Sequence, residues 1–343
     1  MKHAFTAFAL LVTSGCLSLQ DPDPDELGTI AYRPDPGDPM CPIWGCGANS
    51  ATVGDGLIFD ELDRLGNQAN GGGLRITTTT TPDNQPGFLY VYRDQLRVGR
   101  LDGSRWYTGQ EIVGTVFALN HPVKGNYEVQ IAGVDEQSLR YWAGRRDAVP
   151  FYVLKTRKAV KGAKFEEFAC RDPLTADPLW AANPHLAVIF TGDRYDAKYK
   201  KARDVGDWDS WFNIACAATA PAKMHLTRHT RVGSTDSYGV SYPSSDNDRT
   251  SMLKLFTADY CGTGHTFTTD GVPLSYQDAN HWMPPTSGWT VESEWTATGA
   301  TCLNYPRWFD DMNAIYSNCG RVLPYCSDAP GWETRAHAIS VLP

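Results

Sequence analysis

Cys261-Gly262-Thr263-Gly264-His265 places a thiol four residues before an imidazole, with two glycines between them. A thiolate beside a histidine is the equipment of an acyl-transfer nucleophile, because the imidazole lowers the thiol pKa and accepts its proton. Asp259 or Asn280 could orient such a base. The competing reading is a half-cystine in a tight turn, which needs the same glycines. His225 and His229 lie four apart, the spacing at which two helical side chains share a face and could hold one metal ion. A zincin carries glutamate directly after the first histidine; Leu226 stands there instead, and spacing places neither His265 nor His281 as a third ligand. Carboxylates occur as Glu166-Glu167, Asp259 with Asp270, and Asp310-Asp311. A glycosidase needs two of them across a cleft, a separation no sequence states. Trp106, Trp142, Trp208, Trp211, Trp282, Trp289, Trp295 and Trp308 offer a carbohydrate platform or, more ordinarily, core and cross-strand pairs. No Walker loop, dinucleotide fingerprint or Gly-x-Ser-x-Gly elbow occurs, and no cofactor is expected.

The other cysteines decide between these chemistries. Met1-Lys2-His3 is followed by an apolar stretch from Ala4 to Val12 and then Thr13-Ser14-Gly15-Cys16. One basic residue, a short apolar segment and small residues before a cysteine make an export signal, 1–15, ending in a sequence that resembles the bacterial lipobox. Cys16 is then the lipidated N-terminus. Setting it aside leaves Cys41, Cys46, Cys170, Cys216, Cys261, Cys302, Cys319 and Cys326, an even set in an exported chain. Such a set reads as disulfides, and the Cys-x-x-Cys pairs of a zinc site are missing from it. Proximity in sequence pairs Cys41 with Cys46, Cys319 with Cys326, Cys170 with Cys216 and Cys261 with Cys302. An even count makes a free catalytic thiol at Cys261 the lesser reading.

The elements that must position these residues read as follows. Residues 17 to 40 are acidic and proline-rich, an extended tether from lipid to fold. The chain has a formal net charge of −8 and only short, interrupted basic clusters, which excludes nucleic acid as a partner. No apolar run after the leader is long enough for a membrane helix, so the lipid is the membrane contact. Alternation predicts a strand at Leu74 to Thr81, a hairpin over 87–101 turning at Arg93-Asp94, and strands at 112–119, 127–134, 139–142 and 151–154. Strands follow at 185–191 and 211–216, then a helix over 217–230 with Pro221 in its first turn. A second helix follows Asp246-Asn247-Asp248, capped by Asp248 and striped by Met252, Leu253, Leu255 and Phe256. Hairpins are predicted over 266–276, turning at Asp270-Gly271, and over 291–302, turning near Gly299.

Ala258-Asp259-Tyr260-Cys261-Gly262 resembles the signature of the ADYC-domain proteins, an exported family associated with myxobacteria and their relatives. Phe212 to Cys216 with Ala220 to Leu226, Thr269 to Leu274, Glu294-Trp295 and Gly299 to Cys302 are similar to the family's flanking segments. Trp44 to Ser50 is similar to the N-terminal regions of such lipoproteins. The resemblance covers about residues 205 to 310 and implies an exported setting without a reaction.

The expected fold is α+β and β-rich. A signal peptide (1–15) and a lipidated tether (16–40) precede a small β-sandwich or barrel (41–155) and a disulfide-stapled α+β domain of ADYC type (156–343). The expected function is that of a lipid-anchored cell-envelope protein of the outer membrane, a non-enzymatic binding or structural module with an extracellular protein or glycan ligand. The alternative is a secreted cysteine-dependent hydrolase or acyltransferase using Cys261 and His265, and behind it metal-dependent hydrolysis at His225 and His229.

Overall fold

The computed structural model describes residues 51–342 except 55, 171–184, 197–198, 204–209, 236–237, 243, 269–273, 282, 284–287, 289, 308–311 and 327–331. The signal, Cys16, the tether, Cys41 and Cys46 lie outside the described residues, as do Asp270, Asp310 and Asp311. Among the described residues strands account for 39% and helices for 14%, a β-rich α+β fold.

A two-stranded entry, β1 (Thr52–Val53) and β2 (Leu57–Ile58), leads to β3 (Glu61–Asp63) and β4 (Arg75–Thr80). The hairpin β5 (Pro86–Tyr92) and β6 (Gln95–Arg100) turns at Arg93-Asp94 as predicted, and β7 (Trp106–Thr108) pairs with it. Then come β8 (Val116–His121), β9 (Gly125–Asp135), β10 (Phe151–Lys158), β11 (Glu167–Phe168) and β12 (Leu186–Thr191). A short hairpin, β13 (Arg194–Asp196) and β14 (Lys201–Arg203), precedes β15 (Trp211–Cys216). One antiparallel 11-stranded sheet takes the order β3-β15-β12-β10-β9-β8-β4-β5-β6-β7, with β11 on β10. The sheet curls back on itself: β12 touches β5 and β6. The Thr191 N–H donates to the Arg93 carbonyl at 2.9 Å, joining β12 to the tip of the β5–β6 hairpin.

The boundary expected between 155 and 156 falls inside β10, and β12 and β15 extend the same sheet. The reason is visible in the side chains. Along β12, Ala187 and Ile189 face the interior of the curled sheet with Phe212, Ile214 and Tyr152. Leu186, Val188 and Phe190 face the other way and pack with the helices. A strand apolar on both faces must be covered on both.

The outer cover holds α1 (Ala220–Leu226), α2 (Asp246–Thr257) and α3 (Met312–Cys319). With them sits a second sheet of β16 (Ser275–Asp278), β17 (Thr290–Thr296), β18 (Gly299–Ala300) and β19 (Ala338–Leu342), in the order β16-β19-β17-β18. The hairpin turning at Gly299 is present, whereas β16 pairs with the C-terminal β19 rather than with residues before it. Helix α1 is shorter than predicted, because Arg228 takes a left-handed φ of 65° and ends the turn. Helix α2 is capped by Ser245, not Asp248; Asp248 closes the capping box from the third helical position. Residues 139–142 form no strand, only a bridge from Arg140 to Ala148.

Three disulfides are described: Cys170–Cys216, Cys261–Cys319 and Cys302–Cys326. The pairing by proximity is corrected for the last four cysteines. The Leu303 N–H donates to the Pro324 carbonyl at 2.9 Å, laying 302–304 beside 324–326 and bringing Cys326 to Cys302. Cys261 rests against α3, with its sulfur 3.6 Å from the Ile315 carbonyl, within reach of Cys319 at that helix's end. Each closed loop stabilises the fold by roughly 3–4 kcal/mol in the chain-entropy account. Non-reducing peptide mapping should yield the 261–319 and 302–326 links; a 261–302 link would contradict this arrangement.

Candidate functional site

Two groups of chemistry-bearing residues emerge, one around the signature and one in a cleft. The signature begins where α2 ends. Ala258 caps the helix in a left-handed conformation, φ 50°, and is fully buried. Asp259 accepts from Lys254 Nζ at 2.8 Å and from the Gly264 N–H at 2.9 Å, and both members of the ion pair are 0% exposed. The Tyr260 hydroxyl donates to Glu292 at 2.6 Å and accepts from the Arg307 N–H at 2.8 Å. Arg307 returns to Glu292 through two nitrogens, at 3.2 and 2.9 Å, and the Tyr260 ring stacks on Trp295. Cys261 is bonded to Cys319. The Tyr260 carbonyl meets the Ala300 N–H, and at Gly262 a Cβ would sit 2.0 Å from the Thr298 carbonyl oxygen, so the loop fits against β18 only as glycine. Every residue of the signature is thus spent on structure. Beside it, burial draws Lys200 down to about 8, with Asp259 opposing that shift and Lys254 adding to it.

The cysteine nucleophile is therefore corrected: a disulfide sulfur is neither a thiolate nor a partner for His265, whose ring packs on Phe267. Asp259 is held by Lys254, so it orients no base. The shared metal site of His225 and His229 is also corrected. The left-handed Arg228 breaks the helix between them, and their rings enter different surroundings. His225 stacks on Phe190 at 4.4 Å, while His229 lies near Tyr276. Among the described residues no group of three or more His, Cys, Asp or Glu could hold a metal ion.

The second group lies where the β5–β6 hairpin tip overhangs α1. A cleft of about 340 Å³ opens there, lined among others by Tyr92, Asp94, Glu136, Tyr141, Asp147 and Arg228. Behind its lining residues Asp94 and Tyr141 runs one chain of hydrogen bonds. The Gly233 N–H donates to Thr230 Oγ1 at 3.1 Å, and Thr230 Oγ1 lies 2.9 Å from His225 Nδ1. His225 Nε2 lies 3.2 Å from the Tyr141 hydroxyl, which donates to Asp94 at 2.9 Å. All donors and acceptors are satisfied when Thr230 donates to Nδ1 and Nε2–H donates to Tyr141. Arg228 walls one side. Its guanidinium lies 3.9 Å from the centre of the Tyr141 ring and donates to the Ala143 and Gly233 carbonyls, both at 3.1 Å, and to Asp147 at 3.2 Å.

Electrostatics follow from burial. Burial and the charge of Arg228 push His225 down to about 3, so its ring is neutral at physiological pH. Burial raises Asp94 above the usual carboxylate range, the Tyr141 bond partly offsetting it. Burial, with the Asp94 carboxylate adding to it, drives Tyr141 well above the usual phenol range. The arrangement is a rigid polar network beneath a small concavity whose lining carries carboxylates and guanidiniums, Asp94 and Arg97 among them.

Of the cleft and the hydrogen-bond chain behind it, sequence reasoning identified only His225, and for another role. Asp94 read as a turn residue, and Tyr141, Asp147, Thr230 and Arg228 carried no motif. One signal was present: a two-residue hairpin turn made of Arg93-Asp94, where glycine or asparagine is usual, and Arg93 indeed has φ 60°. Of the tryptophans, Trp211 and Trp295 are core residues, Trp142 is partly buried against the core and Trp106 is 48% exposed. Trp208, Trp282, Trp289 and Trp308 lie outside the described residues. Glu166 and Glu167, just before and at the start of β11, are exposed.

Comparison with known proteins adds one finding. Residues 109–309 match the family described as the ADYC domain, a span from the turn before β8 to just beyond β18. No curated protein and no solved structure matches the chain.

Two outcomes test this geometry. Above pH 6.5 His225 is neutral folded or unfolded; below it the unfolded chain gains the proton that the folded ring refuses until about 3, so stability falls with pH across that window. His225 carbon-bound proton resonances should not move between pH 5 and 8, and a titration there would contradict the closed network. Separately, Lys254→Met should cost about 3–5 kcal/mol in urea denaturation, because it strands the Asp259 charge in the core. A loss under about 1 kcal/mol, the range of exposed pairs, would show the pair to be solvated.

Proposed function

This chain belongs to the ADYC-domain family, and we propose that it is an exported, lipid-anchored envelope protein whose cleft binds a ligand rather than transforming one. The described disulfides suit an oxidising, extracellular environment, and no helix among the described residues is long and apolar enough to cross a membrane. The leader ending at Cys16 supports the anchor. Leu17, in place of the aspartate that retains lipoproteins in the inner membrane, supports sorting to the outer membrane.

One observation carries the binding reading. The buried histidine behind the cleft, His225, is neutral with both ring nitrogens engaged, by Thr230 and Tyr141, so it has no free lone pair with which to abstract a proton from a bound molecule. A general base must reach the proton it takes, and a nucleophile needs a base beside it. What the cleft offers instead is shape, held by bonds among its own residues, and two opposite charges, which is what fixes the orientation of a polar ligand.

Anchoring is tested with Cys16→Ala. The wild-type protein should enter the detergent phase on cloud-point partitioning, because the diacylglycerol on Cys16 is its membrane contact. The variant should stay in the aqueous phase or accumulate as precursor. Wild-type protein found in the aqueous phase overturns the lipoprotein reading.

A further inference from the structure

The cleft does not end at Tyr92. Along β5, Phe88, Tyr90 and Tyr92 alternate with the core residues Leu89 and Val91, so the three rings stand on the solvent face about 7 Å apart. Their partners across the hairpin are Gly99, Arg97 and Gln95. Gly99 matters here: a Cβ at that position would lie 2.6 Å from the Phe88 ring, which lies across the gap. Trp106 of β7 then meets Phe88 edge-on at 5.2 Å and Tyr90 at 6.0 Å. The result is an aromatic strip from Trp106 through Phe88 and Tyr90 to Tyr92, 48% exposed at its first residue and 50% at its last. Tyr92 is also a wall of the cleft, as are Arg97 and Gln95.

Cations are set among these rings. The Arg97 guanidinium lies 5.0 Å from the Tyr92 ring centre and Arg64 lies 5.5 Å from that of Tyr90. The side-chain hydrogen bonds of Arg97 go to Gln95 Oε1, at 3.1 and 2.9 Å, and no carboxylate among the described residues pairs with it. By contrast Arg100, on the same strand, is paired with Asp83.

From this we infer that the strip and the cleft together bind a polysaccharide chain that carries carboxylate groups, such as a uronate polymer. The inference rests on the reading of the cleft as a binding site and names its ligand class. Three observations select that class. A row of rings on the solvent face of the hairpin, exposed at Trp106 and Tyr92 and half-buried at Phe88 and Tyr90, suits the apolar C–H faces of successive pyranoses, which stack on aromatic rings. The planar side chains of Gln95, Arg97 and Glu136 at the strip's end suit the vicinal hydroxyls on a sugar's edge. The guanidinium of Arg97, lacking a carboxylate of its own, suits one on the ligand, which it can take through two nitrogens. Continuity of strip and cleft requires an extended ligand rather than a single small molecule.

Calorimetric titration of the full-length, detergent-solubilised protein tests this with four probes: an oligogalacturonate hexamer, the galacturonate monomer, a neutral glucan hexamer and a single-stranded DNA hexamer. The acidic hexamer should bind at least about tenfold more tightly than the monomer or the neutral hexamer. Trp106→Ala and Tyr92→Ala should each lose about tenfold, and Arg97→Gln should erase the preference for the acidic over the neutral chain. Melting curves confirm that each variant is folded, and Tyr92→Ala removes an already exposed ring should Trp106→Ala fail to fold. Absence of binding, binding unchanged by the strip variants, equal affinity for the neutral chain, or equal affinity for the DNA each overturns the inference. A hexamer that binds and is shortened, with the shortening lost in Asp94→Asn, overturns the non-catalytic reading of the cleft while leaving the strip's role standing.

Discussion

The rest of the structure depends on β12 and β15 being buried on both faces. A strand in an antiparallel sheet ordinarily hides one row of side chains and wets the other. Here both rows of β12 are apolar, and all six of its residues are buried, as are the six of β15. The inner row closes the curled sheet's core; the outer row founds the core beneath the helices and the second sheet. Neither core is complete without these strands, so the two halves of the fold cannot be parted there. The cleft is a consequence. It sits where the tip of a hairpin from the curled sheet passes over the helical layer, which is how Asp94 comes to lie beside Tyr141 and His225.

A second dependence runs through the signature. A turn leaving a helix into a core exposes polar backbone and side-chain groups to a medium that cannot solvate them. Each residue of the signature answers one such need: the small Ala258 tolerates the left-handed cap, Asp259 neutralises Lys254, Tyr260 binds Glu292 and Arg307, and Cys261 ties the loop to α3. This explains why a tetrapeptide that names a family contains cysteine and aspartate yet no reactive pair. Its residues resemble catalytic ones because buried charge networks and active sites draw on the same side chains.

That overlap also sets what was legible beforehand. The hairpin of β5 and β6, the strand β15 and the apolar stripe of α2 were readable, since each is written in local alternation or spacing. Disulfide partners were not: Cys319 lies close in sequence to Cys326 but reaches Cys261, 58 residues back, because α3 carries it there. The extent of α1 was misread for a related reason, the left-handed Arg228 being fixed by carbonyls of the 143–145 loop rather than by its neighbours. The cleft was least legible. Asp94, Tyr141 and His225 are joined across separations of 47 and 84 residues, and no spacing rule spans those distances.

Strain in the cleft bears on what the cleft is for. Arg93 and Arg228 both hold left-handed backbone, at φ 60° and 65°, which costs a residue with a side chain roughly 1–2 kcal/mol. Such conformations persist where the surroundings over-determine them. The Arg93 carbonyl is held by the Thr191 N–H, and the Arg228 side chain by carbonyls and two tyrosine rings. Both strained residues line the cleft, Arg93 held through its carbonyl and Arg228 through its whole guanidinium. A site built for proton transfer needs an acid or base that exchanges its hydrogen bond during turnover. One built for recognition gains from walls that do not move, because a ligand then meets a surface already ordered and the cost of fixing it falls on folding rather than on binding. The strain, the closed network and the neutral histidine are three expressions of that same rigidity.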